Sequence, residues 1–118
     1  MIVLQIPEST PSLNAYWGGH WSKKHELRKR WAWLVRAARI RAKVFEAPKY
    51  PRAVLTLERY GARMLDHDNL VAGMKPLVDS LVKEGFIAGD SPQHITATYV
   101  QHVGKQRGTI VRIEGVSA

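Results

Sequence analysis

Apolar and polar positions divide the chain into six segments, four typical of strands and two typical of helices. The strand-like segments alternate or are short apolar runs bounded by turn residues, and they are Ile2–Ile6, Arg52–Tyr60, His94–His102 and Gly108–Glu114. The other two repeat apolar residues every three or four positions, which predicts amphipathic helices over 23–46 and 70–84. The pattern predicts one α/β (α+β) domain over 1–118, in the order β-α-β-α-β-β, with two helices and a small mixed four-stranded sheet.

Local signals set the expected ends of these elements. Ser22 is a candidate N-cap for the first helix, whose apolar stripe consists of Leu27, Trp31, Leu34, Val35, Ala38, Ala42 and Phe45. Gly85 is expected to end the second helix, and Pro76 inside that helix is expected to cause a kink or an irregular first turn. The basic sequence VGKQRG separates the last two strands, so a hairpin between them is predicted.

Charge is the compositional feature that bears most on function. Eighteen lysines and arginines oppose ten acidic residues, for a formal net charge of +8, and a small basic domain usually binds a polyanion such as nucleic acid. Nine basic residues and one acid lie between Lys23 and Lys43, whereas all four aspartates lie between Asp66 and Asp90. A basic surface with clustered carboxylates suits a metal-dependent enzyme acting on phosphodiesters. Attraction to an anionic membrane, or simple solubility, would also explain the charge.

The absence of cysteine excludes a disulfide framework and a thiolate metal site, and it is consistent with a reducing compartment. The opening sequence MIVLQI lacks the length and the cationic flank of a signal peptide. No apolar run approaches the length of a membrane span. We therefore expect a cytoplasmic protein with no membrane partner.

The residues expected to contact nucleic acid lie in three places. The loop PESTPSLNAYWGGHW combines polar groups with aromatic rings that would stack on bases, although the rings could instead anchor the loop to the core. The basic positions of the first helix fall largely off its apolar stripe, so they form either a solvated face or a face that follows phosphates. The predicted contacts are Asn14 and Tyr16 in the loop, Lys23, Lys24, Arg28, Lys29 and Arg36 on the helix, and Lys105 and Arg107 in the last turn.

The sequence LDHDNL places two aspartates just before the second helix, where free backbone N–H groups and the helix dipole favour carboxylates. Helix capping would account for Asp68, but not for Asp66. At about 100° per residue, Asp68 shares one narrow stripe with Ala72, Lys75 and Asp79, opposite the apolar side chains. This stripe is either an active-site surface or a surface that carries an ordinary ion pair between Lys75 and Asp79.

Asp90 follows a short apolar run and precedes a Ser-Pro turn. Aspartate is common in turns, so a structural role is one interpretation. The alternative is that Asp90 returns to Asp66 and Asp68 and completes a set of the hard oxygen ligands that Mg²⁺ prefers.

Candidate site residues form an ordered series along the chain. The series begins with DHDNL, continues with a lysine and an aspartate four apart in KPLVDSLVKEGF, and ends with the aspartate of GDSP. In this series the chain resembles the RusA-type Holliday-junction resolvases and their phage-borne relatives. The early PSLNAYW and the HW that follows it are also similar to the family's N-terminal loop. The resemblance covers nearly the whole chain. It implies a RusA-like fold, a bacterial or phage-infected host cell, a homodimer, Mg²⁺ or Mn²⁺ as cofactor, and paired nicks in four-way junctions.

The resemblance also implies roles for individual residues. The lysine matches the family's essential lysine, and three of the aspartates match its essential acids, which would hold the metal. The implied catalytic residues are Asp66, Asp68, Lys75 and Asp90, of which Asp66, Asp68 and Asp90 are the metal ligands, and the supporting residues are Asn69 and Asp79.

Two positions depart from the family pattern. The family often has two adjacent acids where this chain has Gly89 and Asp90. Some members place the lysine one turn earlier, at the position that Ala72 occupies in an ungapped alignment. The gapped match to Lys75 keeps the lysine in phase with Asp79, and either position lies on the same helix stripe.

The resulting hypothesis is metal-dependent hydrolysis of DNA phosphodiesters at four-way junctions, in recombination and repair. The carboxylates would hold the cation, Lys75 would neutralise charge on the scissile phosphate, and Asp79 would orient Lys75. Three alternatives remain. The first is a non-catalytic DNA- or RNA-binding module whose aspartates serve only as caps and turns. The second is a small nucleotide hydrolase, for which the chain has no glycine-rich phosphate loop. The third is histidine chemistry, for which the five histidines have no recognised metal-ligand spacing.

Overall fold

The computed structural model describes residues 1–12 and 21–116, with side chains in the first helix described from Lys23 onward. The elements follow the predicted order and are β1 Ile2–Ile6, α1 Trp21–Arg41, β2 Ala53–Gly61, α2 His67–Lys83, β3 Ile95–Val103 and β4 Gly108–Gly115. The predicted α+β class, with four strands and two helices, is therefore confirmed.

The four strands form one mixed sheet, as predicted, and their order in the sheet is β1-β4-β2-β3. β4 is antiparallel to both of its neighbours, β1 and β2. β2 pairs in parallel with β3 along its whole length, from Ala53 opposite Ile95 to Gly61 opposite Val103. A parallel pair needs a long crossover connection, and α2 lies in that connection.

The predicted hairpin between the last two strands is wrong, because β2 lies between β3 and β4. The connecting residues 104–107 pass the end of β2, where the Gly104 N–H donates to the Gly61 carbonyl oxygen at 3.0 Å. An alternating sequence determines which side of a strand is buried, but it does not determine which strand lies beside it.

One face of the sheet carries the core. Alternate strand residues on that face, such as Leu55 and Val111, are fully buried with Trp31 of α1 and Leu77 of α2. The positions between them point to the opposite face and are half-buried or exposed. In β2 these positions are Val54, Thr56, Glu58 and Tyr60. The second face therefore presents accessible polar and aromatic side chains.

The first helix ends at Arg41 rather than at residue 46. Lys43 has a left-handed φ of 58°, and this turn redirects the chain before the apolar periodicity runs out. Ala42 and Phe45 are both exposed as a result, Phe45 to 77%. Their prediction as part of the buried stripe is therefore wrong.

Both helices begin earlier than predicted. α1 begins at Trp21, which places Ser22 inside the first turn and makes its prediction as N-cap wrong. α2 begins at His67, three residues before the apolar periodicity that starts at Leu70. Capping groups outside the apolar stripe, rather than the stripe itself, set where a helix begins.

The rest of α2 follows the sequence closely. The apolar side chains predicted to share one face are all buried, and they are Leu70, Met74, Leu77, Val78 and Leu81. The helix is continuous in its secondary structure through Pro76, whose carbonyl oxygen accepts the Ser80 hydroxyl at 2.9 Å. Gly85 has a φ of 81° directly after the C-cap residue Glu84, so the predicted glycine stop is confirmed.

Candidate active site

The carboxylate of Asp66 caps α2. Its Oδ1 accepts the backbone N–H of Asn69 at 2.9 Å, and its Oδ2 accepts the side-chain amide of Asn69 at 2.7 Å. These hydrogen bonds, the backbone one first, hold the pKa of Asp66 below its ordinary value. Asp68 lies in the first turn of the helix, so its prediction as the N-cap is wrong. One local motif accounts for Asp66 and Asn69 together.

The start of α2 also contacts a residue that the sequence did not single out. His67 meets the ring of Tyr99 edge-on, with the ring centroids 6.1 Å apart. Burial raises the pKa of Tyr99, and the positive charge of Lys75 opposes that rise. Tyr99 therefore packs against the first turn of α2 and feels the charge of Lys75. The alternation of β3 places Tyr99 on the core face, but it gives no sign of which helix residues lie over it.

Lys75 joins two carboxylates. Its Nζ donates to Oδ1 of Asp79 at 3.0 Å, as the spacing of four residues predicts, and to Oδ2 of Asp90 at 2.7 Å. The hydrogen bond to Asp90 and then that to Asp79 raise the pKa of Lys75. The same bond lowers the pKa of Asp90. All three side chains remain between about one-third and one-half exposed, so solvent screens their attraction.

The three aspartates predicted to bind a metal come from two parts of the chain. Asp66 and Asp68 lie at the start of α2, after β2 has ended, whereas Asp90 lies between α2 and β3. Asp90 meets α2 at Lys75, and roughly 10 Å of helix axis separates that residue from Asp68. Across residues 1–12 and 21–116, no group of three or more His, Cys, Asp or Glu side chains is placed to hold a metal ion.

The space beside Asp90 is occupied by an imidazole ring. A Cβ atom at Gly89 would lie 2.6 Å from Cδ2 of His94. His94 is fixed through Nδ1, which lies 3.0 Å from the carbonyl oxygen of Pro51, and it also contributes to lowering the pKa of Asp90. At the position where the resembling family often has a second acid, this chain therefore has a glycine packed under a histidine.

A cleft of about 450 Å³ adjoins the Lys75 group. Its lining includes Arg28 from α1, Asp79 and Lys83 from α2, and Asp90. Arg28 is one of the residues predicted to bind nucleic acid, and the cleft places it beside two of the predicted site acids. The cleft therefore carries charges of both signs, and each helix contributes one cation to its lining, Arg28 from α1 and Lys83 from α2.

Most of the residues predicted to contact nucleic acid lie in the described part of the chain, and most of these are exposed. Asn14 and Tyr16 lie outside the described residues. On α1 the side chains of Lys23, Arg28, Lys29 and Arg36 are exposed, and that of Lys24 is half-buried. In the last turn Lys105 and Arg107 are both exposed.

Arg36 and its neighbour Arg39 have a structural role in addition to any binding role. The Nη2 atom of Arg36 lies 3.0 Å from Oε2 of Glu84, whose side chain is only 9% exposed, and Nη1 of Arg39 donates to the Glu84 carbonyl oxygen at 3.2 Å. The hydrogen bond and charge of Glu84 raise the pKa of Arg36. Part of the basic face of α1 therefore ties α1 to the end of α2.

No protein-family model matches the chain, and no curated protein matches its sequence. Within the described parts of the chain, neither helix is both long enough and apolar enough to cross a membrane.

Proposed function

We propose that the protein is a Mg²⁺-dependent endonuclease that nicks branched DNA, with the four-way junction as its substrate. The observation that carries the proposal is the contact between Lys75 and Asp90. It joins an aspartate that precedes β3 to the polar stripe of α2, beside a cleft that Arg28 also lines. The excess of basic residues supports a polyanionic substrate, and the resemblance of the DHDNL series supports the junction.

The donor chemistry at the start of α2 suits the proposed cation. Mg²⁺ is usually held by one or two carboxylates together with water and substrate phosphate, rather than by a complete protein cage. Asp66 and Asp68 would supply those two carboxylates, and Asp90 is the third candidate ligand. When bound, such a cation acidifies a water molecule and stabilises negative charge on the phosphate. Mn²⁺ would serve in the same way.

Basic side chains of the protein also contribute to the proposed reaction. Lys75 would neutralise charge on the scissile phosphate or on the leaving oxygen. The hydrogen bonds that raise its pKa favour its charged form, and through them Asp79 and Asp90 hold its ammonium group in place. The basic residues of α1 and of the 104–107 turn would bind the flanking phosphates.

Paired cleavage adds a requirement for symmetry. Two strands on opposite sides of a junction must be nicked, and a two-fold dimer supplies two equivalent sites in the needed orientation. We therefore propose a homodimer that acts on DNA in the cytoplasm of a bacterial or phage-infected cell, in recombination and repair.

The test is a cleavage assay on a labelled four-way junction and on a matched linear duplex, each with Mg²⁺, with Mn²⁺ and with chelator. We expect paired nicks in the junction that require the divalent cation. Asp68→Asn should abolish nicking while junction binding is retained, because it removes a ligand and also lowers repulsion of phosphate. Glu46→Gln, an exposed change in the loop after α1, is the matched control. Full-rate cleavage by Asp68→Asn would overturn the metal assignment.

A non-catalytic nucleic-acid-binding module is the second candidate, and specific contacts favour it. The cap uses Asp66 and Asn69, and an ion pair uses Asp90, so each has a structural role without any metal. This candidate predicts binding that falls steeply with salt and no nicking under any divalent cation.

A further inference from the structure

A second cleft lies at the end of the sheet where β1 and β2 stop and β4 begins. Its volume is about 530 Å³, within the range of roughly 300–1,000 Å³ that is usual for ligand sites. Tyr60, Gln106 and Gly108 are among its lining residues, with Gln5 and Arg41 at the β1 side. None of the residues proposed for the cleavage site lines it.

The charge of this cleft has one sign. Arg41 and Arg107 both line it, and no carboxylate is among the described residues that do so. Arg41 donates from Nη2 to the carbonyl oxygen of Gln5 at 2.7 Å. Arg107 donates from Nη1 to the carbonyl oxygens of Gly104, Lys105 and Gln106, at 3.0, 3.1 and 3.1 Å. Neutral carbonyl partners position the two guanidinium groups without cancelling their charge, so the cleft suits an anion.

An aromatic ring forms part of the same cleft. Tyr60 is half-buried, and its ring stacks on that of His102, with centroids 4.4 Å apart and planes 21° from parallel. His102 is held in turn by Glu58, whose carboxylate lies 3.1 Å from Nε2. A smaller cleft of about 210 Å³ adjoins this pair and adds Lys105. Aromatic rings flanked by cations are the usual platform for an unpaired base and its phosphate.

We propose that this end-of-sheet cleft binds an unpaired nucleotide of a DNA single strand, with its phosphate on Arg41 and Arg107 and its base against Tyr60. Such a site would hold a strand that leaves the branch point. The inference rests on the proposed function in one respect, which is that the bound single strand would come from the branched DNA substrate. The binding itself needs neither the metal nor the α2 carboxylates.

The test measures binding of two labelled probes of equal length, an oligothymidylate and its abasic counterpart, in chelator. The steepness of log affinity against log salt reports how many phosphates the protein neutralises, at about 0.7 for each phosphate of a single strand. We expect Arg41→Gln with Arg107→Gln to lower that steepness by about 1.4 for both probes. Arg52→Gln is the control for the loss of one positive charge outside the cleft, since this arginine also bonds to a carbonyl oxygen, that of Gln93.

The aromatic part of the site has its own readout. Tyr60→Leu should reduce the preference for the oligothymidylate over the abasic probe by about fivefold or more, whereas Tyr60→Phe should retain it. Melting temperatures of both variants check folding, and the arginine test stands even if Tyr60→Leu does not fold. The inference is overturned if the double arginine variant has the salt slope of Arg52→Gln. It is also overturned if a folded Tyr60→Leu variant keeps the full base preference.

The two proposals can fail separately. If the protein never nicks a junction but the cleft variants lose single-strand binding as described, the endonuclease proposal fails and the cleft assignment stands. If Asp68→Asn abolishes nicking while the cleft variants bind both probes like the controls, the cleft assignment fails alone.

Discussion

The Nζ atom of Lys75 lies 2.7 Å from Oδ2 of Asp90, a residue fifteen positions further along the chain. The contact ties the segment after α2 to the middle of the helix, where Asp79 already holds the lysine. This contact places Asp90, the last of the predicted site aspartates in the sequence, beside the polar stripe of α2.

A double-mutant cycle with Lys75→Met and Asp90→Asn measures that link. Because both side chains are about half exposed, we expect a coupling free energy of only about 0.5 kcal/mol in urea unfolding. The control cycle pairs Asp90→Asn with Lys105→Met, which removes an exposed lysine beyond the other end of β3, and its effects should be additive. A coupling of zero for the first cycle would show that the contact adds nothing to the stability of the fold.

Asp66 has a capping role that substitution can separate from a metal role. Asp66→Ala should lower the free energy of unfolding, because the N–H of Asn69 loses its acceptor. Asp66→Asn should stay close to the wild-type stability, because asparagine caps helices about as well as aspartate. Under the endonuclease proposal both variants lose nicking. Stable, fully active Asp66→Asn would assign Asp66 to the cap alone.

Gly73 lies in α2 where the N-terminal segment passes over the helix. A Cβ atom there would overlap the carbonyl oxygen of Pro11, a backbone atom that cannot rotate away. Glycine to alanine inside a helix usually stabilises it, but we expect Gly73→Ala to destabilise the protein by about 1–3 kcal/mol. Gly104→Ala is the control, since its Cβ would meet nothing within 4 Å. Equal melting temperatures for the two variants would contradict the close approach.

Glu58 gives the fold a dependence on pH. Hydrogen bonds from His102 and then from Arg112 lower the pKa of Glu58 below its unfolded value. A carboxyl group whose folded pKa is lowered adds stability that is fully present above the unfolded pKa and is lost as pH falls through the folded one. Glu58→Gln should therefore lower stability at neutral pH by about 0.5–1 kcal/mol, since both partners are partly exposed.

The measurement for Glu58 is the difference in unfolding free energy between wild type and Glu58→Gln across the acidic range. The difference should shrink toward zero once the pH lies below the folded pKa. Glu114→Gln, a change at an exposed position of the neighbouring strand, should show no comparable slope. A Glu58→Gln effect that is independent of pH would mean that packing rather than charge is responsible.

Local features of the sequence determined much of what the structure contains. The element order, the buried side of α2, the glycine stop at Gly85 and the pair of Lys75 with Asp79 all follow from spacings of a few residues. Such features depend on helix periodicity, strand alternation and the conformational freedom of glycine. Each of these acts within one element and needs no knowledge of its neighbours.

Other features were decided only by the tertiary structure. β2 separates the strands that were predicted to form a hairpin, and Asp90 contacts Lys75 from fifteen positions further along the chain. The same packing brings three residues to one cleft: Tyr60 of β2, Arg41 at the end of α1, and Arg107 of the 104–107 turn. Strand neighbours and contacts between distant residues depend on how whole elements share one core, and the sequence pattern of any single element is compatible with several such arrangements.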